Sequence, residues 1–148
     1  MPPKKPRLRP LVMVIDESGH TRKALRFYLT NEGYDVDEAT NSHSAVESAT
    51  DNSPDLILID LNMPGSNGVL ATQRLRGAAQ LNGVPVVACA GPDSQAYRDA
   101  ARVAGADAYV TIPINPAVLL RVVRSLINRK DVGIMPSSDV TQLASMVL

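Results

Sequence analysis

The sequence predicts an α/β fold in which five parallel strands form one sheet with helices on both faces. Three observations carry that expectation. Short unbroken apolar runs such as Leu11-Val12-Met13-Val14-Ile15 and Leu56-Ile57-Leu58-Ile59 suit strands buried on both faces. Stretches with helical spacing of apolar residues stand between those runs. The connections are short and rich in Gly, Pro, Ser and Asn, as right-handed strand-helix-strand units require.

Each element follows in order. Residues 1–10 carry four prolines, Pro2, Pro3, Pro6 and Pro10, alongside Lys4, Lys5, Arg7 and Arg9, which denies them a helix or a central strand and predicts a flexible basic arm. The run at 11–15 is the first strand and ends in Asp16-Glu17. Ser18 caps a helix that carries Ala24, Leu25, Tyr28 and Leu29 inward and stops at Gly33. Residues 34–38 alternate and read as a more exposed strand, and 42–50 as a short Ser-rich helix. The third strand, 55–60, closes on Asp60, and 61–68 has loop chemistry in Pro64, Gly65, Asn67 and Gly68. A helix at about 69–80 precedes a strand at 84–89. Gly91-Pro92-Asp93 opens a helix with Tyr97, Ala101 and Ala104 inward, and 108–111 is a short strand ended by Ile112-Pro113. Asn115 caps a last helix with Pro116 in its first turn and an apolar stripe of Val118, Leu119, Val122, Val123, Leu126 and Ile127. Beyond residue 129, Val140, Leu143, Ala144 and Val147 recur at helical spacing, which suits either a short amphipathic helix or a disordered tail.

Composition narrows the function classes. The 148 residues fit one domain, and 15 basic against 15 acidic residues give no net charge. The basic arm conceals an acidic excess, because the other 138 residues hold 11 basic and 15 acidic side chains. Such a body lacks the cationic footprint of a nucleic-acid binder, and 3% aromatic residues supply no stacking platform. One cysteine, Cys89, excludes an intramolecular disulfide and a Cys-rich metal centre. No stretch suits a signal peptide or membrane helix, so a cytoplasmic protein without membrane contact is expected. His20 and His43 stand apart and read as surface residues.

Chemistry concentrates where strands end, since ligands of such sheets bind beyond the carboxyl ends of the strands. If the first and third strands are neighbours, Asp16, Glu17 and Asp60 converge. Unpaired carboxylates raise one another's pKa. A hard divalent cation relieves that repulsion, and oxygen donors with room for water and a phosphate oxygen suit Mg²⁺.

Three segments then resemble the receiver domains of bacterial two-component response regulators. They are Leu11-Val12-Met13-Val14-Ile15-Asp16-Glu17, the run from Pro54 through Asp60 and Pro64-Gly65 to Gly68, and the run from Ala104 through Tyr109 to Pro113. The resemblance covers about residues 11–129. It implies a flavodoxin-like doubly wound fold with strand order 2-1-3-4-5. It implies that Asp60 accepts a phosphoryl group from a histidine kinase or phosphotransfer protein. By the same resemblance Asp16, Glu17, Asp60 and the Asn62 backbone carbonyl hold Mg²⁺, and Pro64, Gly65 and Gly68 shape the loop that presents Asp60. It further implies a cis bond at Ile112-Pro113, a downstream protein target, and a candidate homodimer face on the fourth helix, fifth strand and fifth helix.

The sequence departs from the receiver pattern at two switch positions. Receivers place Ser or Thr where this chain has Ala90, and Lys where it has Ile112. Cys89 and Thr111 lie one residue earlier and should face the opposite side of the sheet. Tyr109, at the family's aromatic switch position, loses the hydroxyl it would track, and its plain alternative is an aromatic filling the sheet edge. The expectation is a stand-alone phosphorelay receiver with an atypical switch and no enzymatic turnover beyond self-catalysed phosphotransfer and autodephosphorylation. The alternative is a phosphorylation-independent adapter. An Mg²⁺-dependent phosphohydrolase ranks lower, since a second catalytic acid and a basic residue are missing.

Overall fold

The computed structural model describes residues 7–63 and 67–132, with side chains from Lys130 onward excepted. Five strands form one sheet: β1 (Leu11–Ile15), β2 (Asp35–Ala39), β3 (Leu56–Asp60), β4 (Val86–Ala90) and β5 (Ala108–Thr111). All neighbours are parallel and the order is β2-β1-β3-β4-β5. The helices are α1 (Gly19–Asn31), α2 (Ser42–Asn52), α3 (Gly68–Gly77), α4 (Gln95–Ala104) and α5 (Pro116–Val132).

Strand alternation sorts the core into two layers. Met13, Ile15, Ile57, Ile59, Val86, Ala88 and Tyr109 join one buried cluster with residues of α2, α3 and α4. Val12, Val14, Leu56, Leu58, Val87, Cys89 and Val110 join the other with Leu25 and Leu29 of α1 and with Leu119, Val122, Val123, Leu126 and Ile127 of α5, the expected stripe without Val118. Every residue of β1 is buried, as a central strand between two helical layers must be. Each large side chain fully buried in this way stabilises the fold by about 1.5–3 kcal/mol relative to exposure.

The helix starts gather at the carboxyl end of the sheet, and polar side chains cap them. Ser18 accepts the Thr21 N–H, Asn41 the Ser44 N–H, Asn67 the Leu70 N–H and Ser94 the Tyr97 N–H. Asn115 accepts the N–H groups of Ala117 and Val118 at 2.9 and 3.4 Å. Such side chains satisfy donors that the first helical turn leaves open.

Several expected boundaries move. The helix expected at 69–80 ends at Gly77, and a separate 3-10 turn, Ala79–Leu81, follows. Ala78 takes an extended conformation there, which turns the chain so that Leu81 is buried. The second strand starts at Asp35 because Tyr34 is buried in the α1–α5 layer and its N–H bonds to Leu29 at the end of α1. The fourth strand starts at Val86, and α4 starts at Gln95, after its Ser94 cap. Helix α2 runs on to Asn52. Helix α5 continues to Val132, three residues past the expected domain end.

Residues 7–10, the described end of the basic arm, form no helix or strand and lie against the ends of α1 and α2. Arg9 donates to the Gly33 and Thr30 carbonyls at 2.9 and 2.8 Å, and Arg7 donates to the carbonyls of Ser53 and Asn52. These carbonyls lie at the carboxyl ends of α1 and α2, where the helix dipole favours a cation. Residues 1–6, Pro64, Gly65 and the tail beyond Val132 lie outside the described residues.

Candidate functional site

The period of two along a strand builds the site. Asp60 follows Ile59 on β3, so its side chain emerges on the same side as Leu58, and Asp16 follows Ile15 on β1 and emerges beside Val14. β1 and β3 are adjacent, with Ile15 opposite Ile59, so the two carboxylates stand next to each other at the sheet's carboxyl end. Both line a cavity of about 10 Å³ that Cys89 and Ile114 also border. Asp16 is buried, while Glu17 and Asp60 are half-buried.

Each aspartate is also held by its own loop. Asp16 Oδ1 accepts the Ser18 N–H at 2.8 Å, and Asp60 Oδ1 accepts the Asn62 N–H at 2.8 Å. Burial pushes the Asp60 carboxyl above the usual aspartate range, and the charges of Asp16 and Glu17 push the same way, against the Asn62 bond. Burial likewise raises Asp16, with the Ser18 bond and the Arg22 guanidinium opposing it and Glu17 adding to it. Arg22 donates to the Asp16 carbonyl oxygen at 2.7 Å and pairs with Glu38 at 3.1 Å. Burial raises the Cys89 thiol too, and the charges of Asp60 and Asp16 add to it, so Cys89 is an inert apolar neighbour.

These donors fit a magnesium ion. Oxygen ligands that repel one another gain from a hard cation between them. Among the described residues no three His, Cys, Asp or Glu side chains gather closely enough to hold a metal by themselves, so the structure sets Asp16 beside Asp60 without closing a three-carboxylate cluster with Glu17. Mg²⁺ usually keeps several waters and is bound through one or two carboxylates together with phosphate oxygens.

The remaining expected positions are distributed around this pair. Gly68 begins α3 against the end of β3, where a Cβ would lie 2.5 Å from the Asp60 carbonyl oxygen and 2.7 Å from Leu61 Cα. Ala90 and Tyr109 face the α2–α4 layer, and both are fully buried. Ala90 has no hydroxyl to offer, and its carbonyl accepts the Tyr109 hydroxyl at 3.4 Å. The Arg98 guanidinium lies 4.7 Å above the Tyr109 ring and is paired with Asp93 at 2.9 Å. Ile112 packs against the α1–α5 layer, and its bond to the exposed Pro113 is cis. Cys89 lies in the α1–α5 layer and Ala90 in the other, so the one-residue offset does place them on opposite faces.

Sequence reasoning missed the side chain of Asn62. Its Nδ2 donates to the Gly91 carbonyl at 2.9 Å and to the Tyr97 hydroxyl at 3.2 Å, while its Oδ1 accepts the Gly91 N–H at 3.2 Å. No local pattern signals these contacts, because Gly91 lies 29 residues away. A second cis peptide, Gly91-Pro92, lies in the same loop.

A parallel 2-1-3-4-5 sheet with paired acids at the ends of β1 and β3 defines a receiver-type signalling domain. The chain belongs to the response regulator receiver domain family, whose description matches residues 12–124. It is similar to the transcriptional regulatory protein ResD of Bacillus subtilis, with 31% identity over 118 residues that make up 80% of this chain and 48% of ResD. The chain spans about half the length of the curated relatives it matches. A putative response regulator from Chloroflexus aurantiacus shares the fold at a TM-score of 0.78 and 23% identity, covering 82% of this chain and 99% of that one. The receiver domain of the sensor histidine kinase PA1611 from Pseudomonas aeruginosa, with a magnesium ion coordinated in its active-site cleft, matches at 0.75 and 25% identity, covering 81% and 98%. No helix among the described residues is long and apolar enough to cross a membrane.

Proposed function

We propose that this chain is a two-component receiver that accepts a phosphoryl group on Asp60, from a histidine kinase or a phosphotransfer protein, and passes the signal to a downstream protein. The observation that carries the reading is the pair Asp16 and Asp60 on adjacent strand ends, both raised by burial and by neighbouring acids. An Asp60 carboxylate oxygen attacks phosphorus, the bond from phosphorus to the donor's imidazole nitrogen breaks, and the donor leaves as imidazole. Asp16, Glu17, Asp60 and the Asn62 backbone carbonyl would hold Mg²⁺, which would supply charge neutralisation for the phosphoryl oxygens. The Asn62 N–H keeps the acceptor carboxylate oriented. Gly68, at the start of α3, shapes the described end of the acceptor loop.

The switch is atypical in this reading. Ala90 donates no hydroxyl to the phosphoryl group, and Ile112 provides no ammonium. Those two side chains favour a second reading, a receiver that docks its partner without phosphorylation. Intact-mass measurement after incubation with acetyl phosphate and Mg²⁺ separates the two. One phosphoryl group per wild-type chain and none on Asp60→Asn is the expected result. An unmodified wild type at saturating donor and Mg²⁺ refutes the phosphoacceptor reading and leaves the adapter.

A further inference from the structure

Asn62 stands two residues after Asp60 and bonds in three directions at once. Its N–H holds Asp60 Oδ1, its side-chain amide makes a two-way pair with the N–H and carbonyl of Gly91, and the same amide reaches the Tyr97 hydroxyl on α4. Gly91 is itself pinned from the other side, because a Cβ there would sit 2.3 Å from the Ile112 carbonyl oxygen. Tyr97 packs against the α2–α4 layer, and its neighbour Arg98 covers the Tyr109 ring. A continuous set of contacts therefore runs from the acceptor carboxylate through one neutral amide to α4 and the edge strand. Neither a hydroxyl at position 90 nor a cation at position 112 takes part in it.

We propose that the Asn62 side chain is the latch that couples the state of Asp60 to α4, in the role that the absent hydroxyl leaves open. The coupling rests on Asp60 being the phosphoacceptor. The reason is a change of acceptor strength at one atom. A carboxylate oxygen accepts the Asn62 N–H in a charge-assisted bond, roughly twice as strong as a neutral one. Phosphorylation turns the carboxylate into a mixed anhydride whose remaining carbonyl oxygen is neutral, so the bond that anchors the Asn62 backbone weakens. The phosphoryl oxygens at the same place are strong acceptors that draw N–H donors to themselves. Movement of the Asn62 backbone misaligns its amide from Gly91 and Tyr97, and the start of α4 is released.

The test follows amide hydrogen exchange and NMR shifts in the full chain, with wild type, Asn62→Ala and Tyr97→Phe, each before and after acetyl phosphate with Mg²⁺. Without phosphate, the Gly91 amide should exchange roughly three- to tenfold faster in Asn62→Ala, the loss expected for one hydrogen bond. On phosphorylation, wild type should gain comparable exchange at Gly91 and through the first turn of α4, while Asn62→Ala shows little further change. Tyr97→Phe should loosen α4 and leave Gly91 protected. Phosphate on Asp60 with equal α4 changes in wild type and Asn62→Ala overturns the latch, as does unaltered Gly91 exchange in unphosphorylated Asn62→Ala. Wild type that takes no phosphate overturns the phosphoacceptor reading and the coupling with it, and intact mass distinguishes that failure from the failure of the latch alone.

Discussion

Two glycines of α3 should respond to alanine with opposite signs. At Gly68 the new Cβ would meet the Asp60 carbonyl oxygen at 2.5 Å and Leu61 Cα at 2.7 Å, and both are backbone atoms at the end of a central strand. Reaching an ordinary contact of 3.4 Å requires the start of α3 to move about 0.9 Å from Asp60. Overpacking of this kind costs about 1–3 kcal/mol. For a domain of this length that lowers Tm by roughly 3–12 °C. At Gly77 nothing lies within 4 Å of the added Cβ, and its φ is not among the positive ones. Alanine there reduces the freedom of the unfolded chain and should stabilise by about 0.4–1 kcal/mol. Thermal and urea denaturation of both variants decides the matter. The Gly68→Ala displacement should also slow phosphoryl acceptance, because it moves the residue next to the acceptor. Equal stability of Gly68→Ala and wild type would refute the close approach of α3 to β3.

Two further outcomes follow from the charges. Asp60 and Asp16 have folded pKa values raised above their unfolded ones, so the stability they contribute is full below the ordinary aspartate range, about pH 4, and is lost as pH rises through the raised values. Without divalent cation, Asp60→Asn should therefore melt higher than wild type at pH 7 and lose less stability between pH 4 and 7; identical Tm–pH profiles would contradict the burial argument. Arg76 donates to the Gly105 carbonyl at 2.9 Å and the Val84 carbonyl at 2.6 Å and pairs with Asp107, whose Oδ2 also accepts the Val86 N–H. Arg76→Ala should cost about 2–3 kcal/mol in urea denaturation, well above the value of an exposed ion pair.

Most of the fold was legible because its signals are local. The runs ending in Asp16 and Asp60 announce central strands, since a charge cannot continue into the core, and the alternation of strands with helices makes the sheet parallel, while its order came from the resemblance to receivers. The caps Ser18 and Asn115 act on N–H groups two or three residues ahead, so they were readable too. Helix α3 was read too long because nothing local opposes continuing through Gln80; burial of Leu81 by tertiary packing turns the chain after Gly77. The contacts of Arg7 and Arg9 were not readable because their partners are carbonyls at the ends of α1 and α2, more than 20 residues away.

The sequence by itself determined the class of fold, the acids that end β1 and β3, and the apolar identity of Ala90 and Ile112, because each is written in residue type and period. Only the tertiary structure decided what surrounds them. It set Asp16 beside Asp60 in a buried place that raises both, turned the Tyr109 hydroxyl to the Ala90 carbonyl, and brought Asn62 against Gly91 and Tyr97. Those relations depend on strands that become neighbours only when the sheet is assembled, and no spacing along the chain encodes a distance across it.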